Sequence, residues 1–388
     1  MFFPRRINYF SDNLSLEVKE IYWNVVISNL ASTMMLLFEP IFLWQLHYSL
    51  EKIIWFYMLV YLGYALFIFP VAKIVSRIGY KHSIFVANVF YALYWLLLFQ
   101  IKFHPILFII TPFFYALQKS FFWPPYHADI ALHNRHGQRG REVGALFSLV
   151  ELASIVGPVL GGAITWLFGF PTLFSIAAFL ILFSVYPLFR SRELYPAHQF
   201  HFINFWKIVR KYPSNFFGYW GYAEDLMLMT LWPIFVFTIV PGVFGVGVLI
   251  TVANLVAIML MLYLGKVIDQ RHHRHILQVG SIFYGLTWLF RQFGMTLPGV
   301  FVLDTLTRMG KAVVNIPLTA LSYHLADRGR MDLAIAYAVF YEFSLSIGKL
   351  FMALVAFWIL VTTQNIYYVF IVTGILTMFY SLLQGKRK

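Results

Sequence analysis

The stretch "SIVGPVLGGAI", residues 154–164, places three glycines and a proline inside an apolar run that extends from about residue 142 to 168. A helix of roughly 20 apolar residues spans the hydrocarbon core of a bilayer. Because no water reaches that core, glycine and proline are tolerated there only where neighbouring helices pack closely and bind the freed backbone groups. The stretch therefore predicts a membrane helix in tight, bendable contact with another helix.

The rest of the chain is similarly apolar. Of its 388 residues, 61% are hydrophobic, 20% are aromatic and 12% are charged, and its mean hydropathy is +0.74, whereas a soluble domain carries about 25% charged residues. Its apolar runs are continuous rather than alternating, which indicates helices and not a β-barrel. We expect an all-α integral membrane fold whose twelve spans lie near 22–46, 52–76, 82–101, 105–131, 142–168, 170–189, 214–240, 242–264, 276–293, 298–323, 333–361 and 364–384.

Basic residues concentrate on one side of these spans. Of the 29 Lys and Arg, 22 lie before the first span, after the last span or in and beside the even-numbered loops, and only Lys52 and Lys102 lie in or beside the odd-numbered loops. This asymmetry predicts a multi-pass protein with both termini in the cytoplasm, in a plasma membrane of bacterial type, without a cleaved signal peptide. The net charge of +13 then reflects orientation in the lipid bilayer, and no nucleic-acid partner is expected.

The two halves of the chain repeat each other. "LFEPIF" at 37–42 matches "TLWPIF" at 230–235 after a shift of 193 residues. Because chance similarity between apolar helices would not preserve charged residues and prolines in order, we infer a six-plus-six duplication, which is typical of alternating-access transporters. The other matches are Lys73 with Lys266, Tyr91 with Tyr284, Trp95 with Trp288, Lys119 with Lys311, Pro125 with Pro317, Glu151 with Glu342, and Gly157 with Gly348.

The longest basic connection divides the repeats. Its segment 200–211 has apolar residues at helical spacing between basic ones, which predicts an amphipathic helix at the membrane surface. We therefore expect a six-helix bundle at 1–190, a cytoplasmic linker at 191–213 and a second bundle at 214–388.

The loop "AKIVSRIGYK" at 72–81 and its repeat "GKVIDQRHHR" at 265–274 resemble the G-x-x-x-D-R-x-G-R-K loop of the major facilitator superfamily. The resemblance covers all twelve spans and implies two pseudo-symmetric bundles that transport a small molecule. It departs from the pattern at Ala72, Ser76 and Gln270. In the family this loop latches the halves together, a role that the resemblance gives to Arg77, Gly79, Lys81, Gly265, Asp269 and Arg274.

The predicted fifth span carries a second resemblance. Its small residues follow the G-x8-G-x3-G-P-x2-G-G pattern of proton-coupled drug antiporters, with Ala153 replacing one glycine. The resemblance implies export, and ordinary packing of small residues is the alternative. The matching residues are Gly144, Gly157, Pro158, Gly161 and Gly162.

Charged residues inside the spans point to a polar interior, because a charge near the bilayer centre costs about 2.5 to 3.5 kcal/mol. The family resemblance places spans one, four, seven and ten around a central cavity. The cavity candidates are Glu39, Lys119, Glu224, Asp225, Asp304, Arg308 and Lys311. The alternative is that they form ion pairs that fix the packing, as the i, i+4 spacing of Asp304 and Arg308 suggests.

Three carboxylates are candidates for proton exchange: Glu39, Glu151 and Glu342. A carboxyl group in an apolar environment takes up a proton more readily than one in water, which a proton carrier requires. A permanent ion pair with Lys119 or Lys349 is the rival interpretation.

Prolines predict irregularities in three spans. Pro40 and Pro233 predict kinks in spans one and seven, and the double proline of "WPPYHADIA" at 123–131 predicts an interruption of span four.

Motifs for catalysis and for ATP binding are missing from the sequence. It contains no cysteine, and the histidines of "RHHRH" at 271–275 are better explained as a solvated turn than as a metal site. We expect no enzyme activity, cofactor or metal.

The sequence favours a monomeric secondary exporter of a small amphipathic molecule, coupled to protons. The alternatives are a transporter of anionic solutes or lipids that uses Lys119, Arg308 and Lys311, and a membrane scaffold or sensor without flux.

Overall fold

The computed structural model describes residues 16–133, 140–190, 200–268, 273–327 and 334–383. All regular elements in these segments are helices. The α-helices are α1 Leu16–Leu36, α2 Phe38–Gln45, α3 Leu50–Ile78, α4 Tyr80–Gln100, α5 Leu107–His133, α6 Gly140–Phe168, α7 Phe170–Phe183, α8 Phe202–Lys211, α9 Pro213–Gly218, α10 Ala223–Met229, α11 Leu231–Ile239, α12 Gly242–Ile268, α13 His273–Leu289, α14 Leu297–Asp327, α15 Ala334–Thr363 and α16 Ile366–Thr377.

Eight helical segments of the described chain are long and apolar enough to cross a membrane, and a ninth, at Ile366–Leu382, is apolar but shorter. Each of the twelve predicted spans coincides within a few residues with one helix or with consecutive helices. The prediction of an all-α multi-pass membrane protein is therefore confirmed, and twelve crossings are consistent with the helices. The eight are Trp23–Gln45, Leu50–Ile78, Tyr80–Gln100, Leu149–Phe168, Phe170–Arg190, Pro213–Ile239, Gly242–Met261 and Ile335–Thr363.

Spans one and seven are interrupted at matching places. The break between α1 and α2 falls at Leu37, and the break between α10 and α11 falls at Thr230, each three residues before a proline. Proline lacks the N–H that would bond the carbonyl four residues earlier. In both spans the preceding α-helix ends at the residue that carries that carbonyl, as the kink prediction requires.

The predicted interruption of span four was wrong. Helix α5 runs continuously through Pro124 and Pro125. Pro125 leaves the carbonyl of Phe121 without its helical donor, but the hydroxyl of Ser83, on α4, donates to that oxygen at 2.7 Å. A neighbouring helix thus supplies the partner that the proline removes.

Most packing lies within two groups of helices. In the first group α1 packs on α6 and α7, and α4 packs on α5 and α7; in the second, α13 packs on α14 and α16, and α12 packs on α14. Contacts of α6 with α12 and of α3 with α15 join the groups. The predicted division at 1–190, 191–213 and 214–388 is compatible with this packing and stays a prediction.

Three glycines of α6 lie where other helices approach it closely. A methyl group at Gly157 would overlap Thr33, and one at Gly161 would overlap the backbone oxygen of Met34, both on α1. Gly162 lies close to the backbone of α12. These contacts explain why small residues occupy these positions, because a larger side chain would push α1 or α12 away from α6.

Pro158 of the same motif frees the carbonyl of Ser154. The side-chain amide of Asn254, on α12, donates to this oxygen at 3.0 Å, and the Thr251 hydroxyl donates to the carbonyl of Ile155 at 2.9 Å. The proline therefore leaves a backbone acceptor that binds the other half of the chain.

The bundle differs at its two ends. At the end that carries the basic connections, here called the basic end, the ring of Phe69 on α3 lies 5.1 Å from that of Phe343 on α15. Phe205 of α8 packs on both rings, at 5.0 and 5.5 Å. At the opposite end a cleft of about 790 Å³ opens between the halves, and its lining includes Trp44, Glu51, Phe237, Leu360 and Gln364. The structure is thus closed by aromatic contacts at the basic end.

Candidate functional site

The densest group of charges lies in the second half of the chain. Asp225, on α10, accepts hydrogen bonds from Lys311 on α14 and from Lys349 on α15, the latter at 2.7 Å. The neighbouring Glu224 lies 3.6 Å from the Lys311 ammonium group and accepts a 2.5 Å hydrogen bond from Tyr284. Both carboxylates are buried. Two acids and two lysines therefore neutralise each other and tie three spans together.

Lys119 has a different environment at the matching place in the first half. Its ammonium group lies 4.3 Å from the ring centre of Tyr115 and 5.6 Å from that of Tyr61. Among the residues that the structure describes, Lys119 forms no ion pair within 4.0 Å, although Glu39 is near enough to act on it electrostatically. The rings stabilise the cation through their π faces and leave its charge available.

The repeat explains this difference. Lys119 and Lys311 match at a shift of 192 residues, whereas Glu224 and Asp225 fall on Ala31 and Ser32 at the shift of 193. The first half therefore keeps the lysine and lacks the two acids. This signal is present in the sequence, but it becomes visible only once Lys311 is seen to contact those acids.

Glu39 is enclosed within the first half. Its carboxylate accepts hydrogen bonds from Trp95 at 2.7 Å, Tyr94 at 3.0 Å and Tyr57 at 3.5 Å, and the residue is fully buried. Such donors stabilise a carboxylate away from water. Glu39 is thus placed to hold three helices together and to oppose the charge of Lys119.

The predicted pair of Asp304 and Arg308 is formed. Arg308 Nε lies 2.5 Å from the Asp304 carboxylate, which also accepts a 2.7 Å hydrogen bond from Trp232.

Sequence reasoning overlooked Arg291, whose buried guanidinium lies between the rings of Trp288, at 3.5 Å, and Trp232, at 3.9 Å. The rule that flags charges inside spans would have found Arg291, because it falls in the predicted ninth span.

The two halves meet at Tyr61 of α3. Its ring faces Lys119 of the first half, and the Lys349 ammonium group of the second half lies 5.2 Å from the same ring. Its backbone carbonyl accepts a 3.0 Å hydrogen bond from Ser346 of α15. We call Tyr61, Lys119, Asp225, Lys311 and Lys349 the midline cluster; it includes one side chain that sequence reasoning missed, the uncharged Tyr61.

The other two proton candidates lie in different surroundings. Glu342 of α15 accepts a 2.9 Å hydrogen bond from Tyr64 of α3 and lies 2.9 Å from His127 Nε2 of α5, so it bridges the halves. Glu151 is exposed on α6 and lies near enough to Arg308 of α14 to interact electrostatically. Among the described residues, the alternative ion pair of one of these three carboxylates with Lys119 or Lys349 is not found within 4.0 Å.

The predicted latch residues are spread out. Arg77 is exposed, Gly79 has φ +91° between α3 and α4, and the ammonium group of Lys81 lies 3.3 Å from the carboxylate of Glu20, on α1 of the same half. Ser76, where the family pattern has an acid, accepts a 3.0 Å hydrogen bond from the backbone of Phe200. In the second copy Gly265 belongs to α12 and Arg274 to α13, without a described side-chain environment, and Asp269 lies outside the described residues.

A family model described as Major Facilitator Superfamily matches residues 21–244, which is more than half of the chain. The chain belongs to the major facilitator superfamily. No curated protein matches it. Among solved structures, the one titled "Crystal structure of auto inhibited POT family peptide transporter" is similar with a TM-score of 0.71 and 11% sequence identity, over 95% of this chain and 96% of that one. At that identity the match shows the fold alone. Membership of this family indicates a secondary transporter.

Proposed function

We propose that this major facilitator chain moves a small amphipathic molecule with an anionic group by alternating access, and that Lys119 binds the anionic group. The observation that carries the proposal is the contrast, among the described residues, between Lys119, which faces the rings of Tyr61 and Tyr115, and Lys311, which lies against two carboxylates. A cation near the bilayer centre without a contacting counter-ion is costly. An anionic substrate supplies that counter-ion.

Aromatic side chains favour an apolar portion in the same substrate. Tyr61 and Tyr115 flank the Lys119 ammonium group, and the ring of Tyr115 lies parallel to that of Tyr91, 5.4 Å away. Such surfaces suit an amphipathic ligand. The similar solved protein is titled a peptide transporter; a short peptide carries a carboxylate and apolar side chains, so peptides belong in the first panel of test substrates.

For coupling, we propose that Glu342 exchanges a proton during transport. Its carboxylate joins α15 to α3 and α5 through Tyr64 and His127, and protonation removes the negative charge that these partners face. Proton binding then weakens a bridge between the halves, which is the link that proton-driven transport needs. Export is supported by the resemblance of the α6 glycine motif to that of antiporters, and cytoplasmic termini by the distribution of Lys and Arg.

The substrate proposal is tested by ligand binding to the purified protein. Short peptides and aromatic carboxylates are compared with their neutral methyl esters or amides. We expect Lys119→Gln to weaken binding of the carboxylates at least tenfold, Lys119→Arg to retain part of it, and the esters to bind both proteins equally. Lys52→Gln, which removes an exposed lysine in the first turn of α3, is the matched control. Equal carboxylate affinity in Lys119→Gln and the unmodified protein would overturn the assignment.

Coupling is tested in proteoliposomes with an imposed proton gradient. Glu342→Gln should abolish acceleration of substrate flux by the gradient and preserve binding. Glu39→Gln and Glu151→Gln are measured alongside it, because all three residues are candidates. Unchanged coupling in all three variants would contradict proton exchange at these carboxylates, and absence of substrate flux under every gradient would favour a scaffold or sensor.

A further inference from the structure

The linker helix α8 has two different faces. Phe205 and Ile208 are buried, and Phe205 packs on Phe69 of α3 and Phe343 of α15. The helix therefore contacts both halves of the transporter where they close the basic end. Separation of α3 from α15 at this end requires Phe205 to leave at least one of them.

The opposite face of α8 combines apolar surface with positive charge. Ile203 and Trp206 are 62% and 47% exposed, and Lys207 and Arg210 are exposed beside them. These four side chains line a hollow of about 260 Å³. Ile203, Lys207 and Arg210 recur at i, i+4 and i+7, which places them on one side of the helix.

We propose that this hollow binds the headgroup of an anionic phospholipid, and that the bound lipid stabilises the closed basic end. The two cations match the charge of the phosphodiester, and the exposed tryptophan and isoleucine match the glycerol and upper acyl chain at the membrane interface. A zwitterionic lipid offers the same phosphate with a neutralising ammonium group. Net negative charge is therefore the feature that selects the ligand.

The link to closure follows from the two faces. While Phe205 and Ile208 hold α8 against the seam, the face of α8 that lines the hollow is turned away from the seam. We expect the lipid to bind α8 more tightly in this arrangement than after α8 has moved. Lipid binding then stabilises this arrangement by mass action. Anionic lipid at the basic end then acts as a regulator that opposes opening there, independently of which substrate the midline cluster binds.

Lipid binding is tested by quenching of tryptophan fluorescence with brominated phosphatidylglycerol, using the difference between the unmodified protein and Trp206→Phe. We expect saturable quenching of the Trp206 signal, and at least fivefold weaker binding in the double variant Lys207→Gln/Arg210→Gln. The matched control is Lys73→Gln/Arg190→Gln, which removes two exposed basic residues near the same end. Brominated phosphatidylcholine and inorganic phosphate are the other arms. Equal quenching by phosphatidylcholine, full competition by inorganic phosphate, or an equal loss in the control would overturn the site.

Closure is tested by spin labels at Ile74→Cys and His275→Cys, two exposed positions on α3 and α13 at the basic end. The native chain has no cysteine to remove. In nanodiscs we expect the short-distance population to grow when phosphatidylglycerol replaces phosphatidylcholine, and the double variant to lose this response while the control keeps it. A distance distribution that ignores lipid charge in the unmodified background would overturn the regulatory role.

Discussion

Lys119 and Lys349 belong to different halves of the chain, yet both ammonium groups face the ring of Tyr61, at 5.6 and 5.2 Å. Among the described residues, Lys349 also contacts a carboxylate, that of Asp225 at 2.7 Å, and Lys119 contacts none within 4.0 Å. The boundary between the halves thus runs between a neutralised lysine and one without a contacting acid. Relative movement of the halves must therefore change the surroundings of Lys349, because the ring that it faces belongs to the first half.

The two repeat-related lysines should respond differently to removal. Lys311→Met leaves Glu224 and part of the Asp225 charge buried without compensation, and we expect a loss of about 3–5 kcal/mol of stability. Lys119→Met breaks no ion pair among the described residues: it loses cation–π contacts, worth about 2 kcal/mol at a desolvated site, and removes the cost of a buried cation, so its net cost should be smaller than that of Lys311→Met. Unfolding of both variants in detergent, monitored by intrinsic fluorescence, measures the difference. Equal destabilisation would refute the distinction between a paired and an available lysine.

The approach of α6 to α1 should not tolerate a methyl group. At Gly161 an added Cβ meets the backbone oxygen of Met34, which cannot rotate away, whereas at Gly245 it meets only a side-chain methyl of Val240 at 3.1 Å. We expect Gly161→Ala to lower the melting temperature by several degrees, because overpacking costs about 1–3 kcal/mol. Gly245→Ala should shift it much less. A wild-type melting temperature for Gly161→Ala would show that the two helices can separate freely.

Asn254 should stabilise the contact between halves through the carbonyl that Pro158 frees. Asn254→Leu keeps the approximate volume but removes the 3.0 Å hydrogen bond to Ser154. The unsatisfied carbonyl should cost about 1–3 kcal/mol. Val252→Ala alters an exposed position of the same helix and serves as the control. Chemical denaturation in mixed micelles compares the two variants, and equal stability would mean that the carbonyl has another partner.

Tyr64 should help to keep the basic end closed. Tyr64→Phe removes the 2.9 Å hydrogen bond to Glu342 across the halves and leaves the ring in place. We expect the long-distance population between labels at positions 74 and 275 to increase at least twofold. Tyr57→Phe removes a hydrogen bond to Glu39 within the first half, so it should leave that distribution unchanged. An identical response of the two variants would show that the bridge does not influence opening.

Much of the fold was predictable because it depends on local sequence. Apolar run length placed the helices within a few residues, and Pro40 and Pro233 located the breaks in spans one and seven. The continuity of α5 could not be predicted, because the hydroxyl that binds the Phe121 carbonyl belongs to Ser83 on another helix. A single sequence does not state which side chains of separate helices will meet.

The site was predictable as a list of buried charges but not as a set of pairs. The spacing of Asp304 and Arg308 identified their contact, since both lie on one helix. The choice of Asp225 as the shared partner of Lys311 and Lys349 depends on the rotation of three helices. Tyr61 was overlooked because it is uncharged, and the sequence does not indicate which residues an uncharged side chain in a membrane helix will contact.

A helix of this bundle continues past a proline where a neighbouring helix binds the carbonyl that the proline frees, and breaks in spans one and seven. In α5 and α6 a side chain of the next helix binds the carbonyl that Pro125 or Pro158 frees, and the helix continues. In spans one and seven the α-helix stops instead, leaving α2 and α11, of eight and nine residues, as separate segments that pack on each other. Each of these two short segments therefore meets the preceding helix at a break, where the direction of the chain can change without bending a continuous helix.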